Sequence, residues 1–141
     1  MTLYFAYGAN LDRAGMARRC PRSRPLGTAR LEGHRFRIME HGYATVVPVS
    51  GAEVHGVLWE VAPDDLPALD AFEEVDAGLY LRAALLVHHG PHRSEAMVYL
   101  AGSTAVGVPC PGYMEAVLRA ATGWALPSAY LAELRGWLPG T

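Results

Sequence analysis

The sequence predicts an α+β domain whose sheet is strongly curved or barrel-like. Two observations carry this. Runs of β-branched and aromatic residues joined by short turns fill most of residues 1–61 and return between 79 and 100, whereas helical periodicity is confined to 63–73, a short stretch after residue 10 and the C-terminal part. Hairpin-linked strands beside segregated helices favour that class. The 141 residues fit one domain spanning 1–141, and a chain half hydrophobic and only 18% charged can bury a real core.

Taken in order, Thr2–Tyr7 is a short strand ended by Gly8. Asn10 is positioned to cap a short helix through Leu11, Ala14, Met16 and Ala17, ending near Cys20-Pro21. Thr28–Met39 suits one or two exposed strands with a turn at Gly33-His34, and Ala44–Val49 with Val54–Val61 looks like a hairpin about Ser50-Gly51. From Pro63 the period changes: Leu66, Leu69 and Phe72 share a face, predicting a helix over Pro63–Glu73. Leu79–His88 and Ala96–Leu100 are strands joined at Gly90-Pro91. A loop over Gly102–Gly112 precedes helices at about Gly112–Thr122 and Pro127–Trp137.

Composition removes several function classes. The net charge of −2 carries no footprint for nucleic acid or an anionic membrane. All 12 basic side chains are arginine, which excludes a Schiff-base or P-loop lysine. Gly-x-Gly-x-x-Gly, Gly-x-Ser-x-Gly and Cys-x-x-Cys patterns are missing. Two cysteines, Cys20 and Cys110, make no disulfide framework and are expected as reduced thiols. With no signal-peptide pattern and no run approaching about 18 apolar residues, the expected location is cytoplasmic. His88, His89 and His92 crowd one turn but would point to different faces, so a surface turn is the favoured reading over a metal site.

Three segments could carry chemistry. Tyr7-Gly8-Ala9-Asn10-Leu11 follows the first strand, where a glycine allows close backbone approach and N–H groups ahead of a helix can hold a carboxylate; a plain strand-to-helix turn fits equally. Glu73, Glu74 and Asp76 crowd the C-terminal end of a helix, where the macrodipole disfavours negative charge. A carboxylate there, shielded by Phe72 or Tyr80, would have a raised pKa and could trade protons near neutrality; a solvated acidic turn is the competing reading. Asp70 reads as a structural hydrogen-bonding residue. Tyr113 and Tyr130 each stand near the start of a helix, with Tyr130 read as structural.

In this order the motifs resemble the γ-glutamylcyclotransferase family, including its AIG2-like and BtrG-like groups. The resemblance runs through Tyr4-Phe5-Ala6-Tyr7-Gly8-Ala9-Asn10-Leu11, Leu69-Asp70-x-x-Glu73, Gly78-x-Tyr80-x-Arg82, Pro111-x-Tyr113 and Leu126-Pro127-x-x-Tyr130. It implies a small mixed β-barrel with flanking helices, and an enzyme that releases 5-oxoproline from a small γ-glutamyl compound without metal or cofactor. Glu73 matches the family's catalytic glutamate. Tyr7, Gly8, Ala9, Asn10 and Leu11 match the loop that holds the glutamyl α-carboxylate, and Tyr80 and Tyr113 match pocket tyrosines. Two alternatives go with it: removal of a γ-glutamyl protecting group from a biosynthetic product, or a binding protein that keeps the pocket without activity. Two positions depart from the pattern, with Ala9 in place of serine and Glu74 where glycine is common. Neither the leaving group nor the oligomeric state follows from these residues.

Overall fold

The computed structural model describes residues 1–103 and 105–138. Five strands, β1 (Thr2–Ala6), β2 (Arg24–Ile38), β3 (Ala44–Val61), β4 (Tyr80–His89) and β5 (His92–Ala101), close into a barrel in the order β1-β3-β2-β4-β5. Four helices accompany them: α1 (Arg13–Arg19), α2 (Leu66–Phe72), α3 (Tyr113–Gly123) and α4 (Ser128–Arg135). Short 3₁₀ turns at Ala9–Leu11 and Pro63–Asp65 lead into α1 and α2. All neighbouring strands are antiparallel except β1 and β5, whose parallel contact at Tyr4↔Met97 makes the barrel mixed and closes it.

One connected set of buried side chains holds these parts together. Phe5, Phe36 and Trp59 from the strands join Met16 of α1, Leu69 of α2, Met114 and Val117 of α3 and Leu134 of α4. In α3 the buried positions Met114, Val117 and Ala121 recur every three to four residues, which gives that helix a single apolar face toward the barrel. Burying each large side chain contributes about 1.5–3 kcal/mol. No helix among the described residues is long and apolar enough to cross a membrane. Cys20 and Cys110 are free thiols.

The structure corrects several local expectations. Ala44–Val61 is one continuous strand, so Ser50-Gly51 is not a hairpin turn, nor is Gly33-His34 a reversal. Both glycines do have left-handed backbone, Gly33 at φ +72° and Gly51 at φ +82°. They lie where the register slips from Glu32↔Glu53 to His34↔Pro48, so β2 and β3 bend together at one irregularity. Glycine there signalled a kink that lets two long strands wrap a small barrel, and the chain reverses instead at 40–43. β5 begins at His92 rather than Ala96, because pairing with β4 carries the polar residues 92–95 along.

Pairing register also decides where the rim lies. Tyr80↔Ala101 and Tyr4↔Met97 bring the end of β1, the end of β5 and the start of β4 to one end of the barrel. The start of β3 joins them, since Ala101 N–H donates to Thr45 Oγ1 at 3.0 Å. The C-terminus of α2 reaches the same rim.

Candidate active site

At that rim lies a cavity of about 370 Å³, whose walls include Tyr7, Gly8, Ala9, Asn10, Glu73, Tyr80 and Tyr113. Each comes from a different local cause. β1 ends at Ala6 and the chain turns through Gly8, where a Cβ would stand 2.9 Å from the Tyr113 hydroxyl. Glycine is therefore needed for that close approach. The 3₁₀ turn then rotates successive side chains apart, with different results for its members. Asn10 points into the site and is 2% exposed, whereas Leu11 is fully buried and lines a neighbouring hollow instead of the cavity. The Leu11 side chain thus takes no part in the cavity wall: it anchors the loop, and its carbonyl accepts a hydrogen bond from Trp124 Nε1 at 2.8 Å.

Asn10 is not a helix cap. Asp12 precedes α1, and the Asn10 amide instead donates to the Tyr4 hydroxyl at 2.9 Å and to Glu73 Oε1 at 3.2 Å. Its carbonyl oxygen accepts from Arg19 Nη2. A chain Arg19–Asn10–Glu73 thus links α1 to the end of α2, and the Arg19 guanidinium lies 3.8 Å over the Phe72 ring. Burial pushes the Glu73 carboxyl up to about 7, with the Arg19 charge pulling the other way. A carboxylate in that range can take and return a proton at neutral pH.

The tyrosines are held rather than loose. Tyr80 donates to the Ala44 carbonyl at 2.5 Å, while Ala44 N–H donates to the Tyr113 hydroxyl at 3.1 Å. Tyr7 donates to the Tyr99 carbonyl at 2.5 Å, and Tyr99 donates to Asp70 Oδ1 at 2.6 Å. Burial raises the Tyr7, Tyr80 and Tyr99 hydroxyls, and Tyr113 is pushed up to about 12. All four remain protonated donors at neutral pH. Asp70 is the structural residue the sequence suggested. Burial would raise its pKa, but hydrogen bonds from Arg82 and Tyr99 outweigh that and lower it. Tyr130 is buried, its ring 5.1 Å from that of His55.

Glu74 also lines the cavity but stands exposed at its mouth, at φ +50°. The acidic cluster therefore divides, with Glu73 inside and Glu74 at the lip. Sequence reasoning missed Tyr4, Tyr43 and Tyr99, which also line the cavity, and Arg19, which lies behind Asn10. Alternation along β1 and β5 could have flagged Tyr4 and Tyr99 as inward-facing strand tyrosines. The histidines serve the far strands: His88 faces Glu32 at 3.4 Å, and His89 Nδ1 meets the Thr28 carbonyl at 3.0 Å. Among the described residues no group of His, Cys, Asp or Glu is arranged to hold a metal ion.

Residues 4–115 match the family described as Gamma-glutamyl cyclotransferase, AIG2-like. The gamma-glutamylcyclotransferase of Homo sapiens is 28% identical over 149 residues, which covers 97% of this chain and 79% of the human protein. That of Mus musculus is 28% identical over 148 residues with the same coverage. A solved gamma-glutamyl cyclotransferase structure superposes with a TM-score of 0.87 at 27% identity, over 99% of this chain and 89% of that one. YkqA from Bacillus subtilis matches with a TM-score of 0.83 at 25% identity, over 96% of this chain and 53% of its own.

Proposed function

The chain belongs to the gamma-glutamyl cyclotransferase, AIG2-like family of enzymes, and on that premise we propose that it releases 5-oxoproline and a free amine from a γ-glutamyl compound. The observation that carries this reading is Glu73, a half-buried carboxylate raised to about 7 and hydrogen-bonded to Asn10 inside a tyrosine-walled cavity.

The α-amino group of a γ-glutamyl compound is an ammonium in water and cannot attack. Glu73 accepts one of its protons, and the freed amine adds to the γ-carbonyl carbon to close a five-membered ring. The protonated Glu73 then donates to the departing nitrogen as the original γ-carbon–nitrogen bond breaks, and the ring nitrogen gives up its second proton to the released amine or to water to leave the neutral lactam. The backbone of Tyr7–Asn10 receives the α-carboxylate, which fixes the attack angle and supplies the orientational part of the rate gain. Tyr80 and Tyr113 enclose the glutamyl chain.

Incubation with a panel of γ-glutamyl amino acids and amines, followed by assay for 5-oxoproline, tests the reaction. Wild type should release it from at least one compound, and Glu73→Gln should lower kcat by at least about 10²-fold, the contribution of a general acid/base. A Glu73→Gln protein as active as wild type would falsify the assignment.

A further inference from the structure

A second hollow, about 530 Å³, lies between α1 and α3 beside the cavity, and Ala9, Phe72 and Tyr113 line both. Its wall carries three arginines, Arg13, Arg19 and Arg119, and one acid, Asp12. Arg19 is already engaged with Asn10 and Phe72. A Cβ on Gly15 would meet Asp12 Oδ2 at 3.0 Å and Arg19 Nη2 at 3.1 Å, so the acid and the engaged arginine converge there. Arg13 and Arg119 make no ion pair or hydrogen bond among the described residues. Arg13 is nonetheless stacked, its guanidinium 4.1 Å over the Trp124 ring. Two exposed guanidiniums, neither ion-paired nor hydrogen-bonded within the protein, therefore edge a space adjoining the one where the scissile bond would lie.

Resting on the cyclotransferase reading, we propose that this hollow is the leaving-group subsite and that it selects a departing amine carrying two negative charges, such as an acidic amino acid. A guanidinium presents a planar fork that fits a carboxylate, and an arginine already stacked on an aromatic ring loses little freedom on binding one. Glu74 lines the cavity and not the hollow, and would repel an anionic tail that lay against it. The same arginines disfavour a cationic amine, so the arrangement discriminates by repulsion as well as attraction. Ala9, on the wall common to both spaces, presents only a methyl group where the extended substrate would cross.

γ-Glutamylglutamate and γ-glutamylglutamine are nearly isosteric and differ by one charge in the departing part. Calorimetric titration of each into the Glu73→Gln protein reads affinity without turnover. The glutamate dipeptide should bind on the order of tenfold more tightly, the effect of one charge-assisted hydrogen bond. That ratio should fall toward one when Arg13→Gln or Arg119→Gln is added, and should shrink with added salt. Equal affinities, no measurable binding of either dipeptide, or a preference that survives both substitutions would overturn the subsite. Failure of the wild type to cyclise any γ-glutamyl compound would overturn the reaction instead, and the affinity ratio would still decide the hollow.

Discussion

Arg19 shows how much a single side chain contributes here that its neighbours in sequence do not. α1 carries Arg13, Arg18 and Arg19, and nothing local distinguishes the last. Only in the folded chain does Arg19 reach Asn10, cover Phe72 and place its charge close enough to lower the Glu73 pKa against the effect of burial. Arg19→Gln should therefore move the acidic limb of the kcat/KM–pH profile above its wild-type position near 7, with kcat/KM at neutral pH reduced. Arg19→Lys, which keeps the charge, should restore part of the limb. A profile unmoved in Arg19→Gln would mean that Arg19 has only a packing role. Asn10 teaches the same lesson from the other direction. Its cap-like position was legible, but its side chain bonds to residues 6 and 63 positions away.

The decisive element is α2, and in particular how it stops. Glu74 N–H bonds to the Ala71 carbonyl at 3.2 Å and Val75 N–H to the Asp70 carbonyl at 3.1 Å, the paired bonds of a Schellman ending. Its left-handed position is occupied by Glu74 at φ +50°, where glycine is the usual residue. Holding a Cβ there costs about 1 kcal/mol. Glu74→Gly should thus raise unfolding free energy by roughly 0.5–1 kcal/mol in denaturant titration, whereas Glu74→Ala should not, since alanine keeps the Cβ. No gain in Glu74→Gly would remove the strain argument. The sharp ending is what separates adjacent glutamates, turning Glu73 toward the cavity while Glu74 stands at the lip. The acidic cluster and the helix were legible in the sequence. The left-handed residue was not, because no glycine marks it.

At the scale of the whole molecule, barrel closure gathers residues near 4–10, 44, 73–80, 99 and 113 around one cavity, and the burial has a thermodynamic consequence. An unfolded glutamate ionises near 4.5, while folded Glu73 holds its proton until about 7. Between those values the native state binds more protons than the unfolded one, so this residue's contribution to stability falls as pH rises through the window and levels off above 7. Glu73→Gln should accordingly become more stable relative to wild type from pH 4.5 to 7, by up to about 3 kcal/mol, as read from Tm or denaturant midpoints across pH. A difference that is flat with pH would contradict the raised value. Alternation and periodicity were enough for the α+β class, the strand-rich body and the approximate helix positions, because burial patterns repeat within a few residues. The ordered motifs were enough for the family. Only the tertiary structure showed that Gly33 and Gly51 bend strands without reversing them, that Leu11 turns away from the cavity, and that Arg13 and Arg119 face a common hollow. Each of those facts depends on pairing register or on packing between distant segments, and neither is encoded at any one position of the chain.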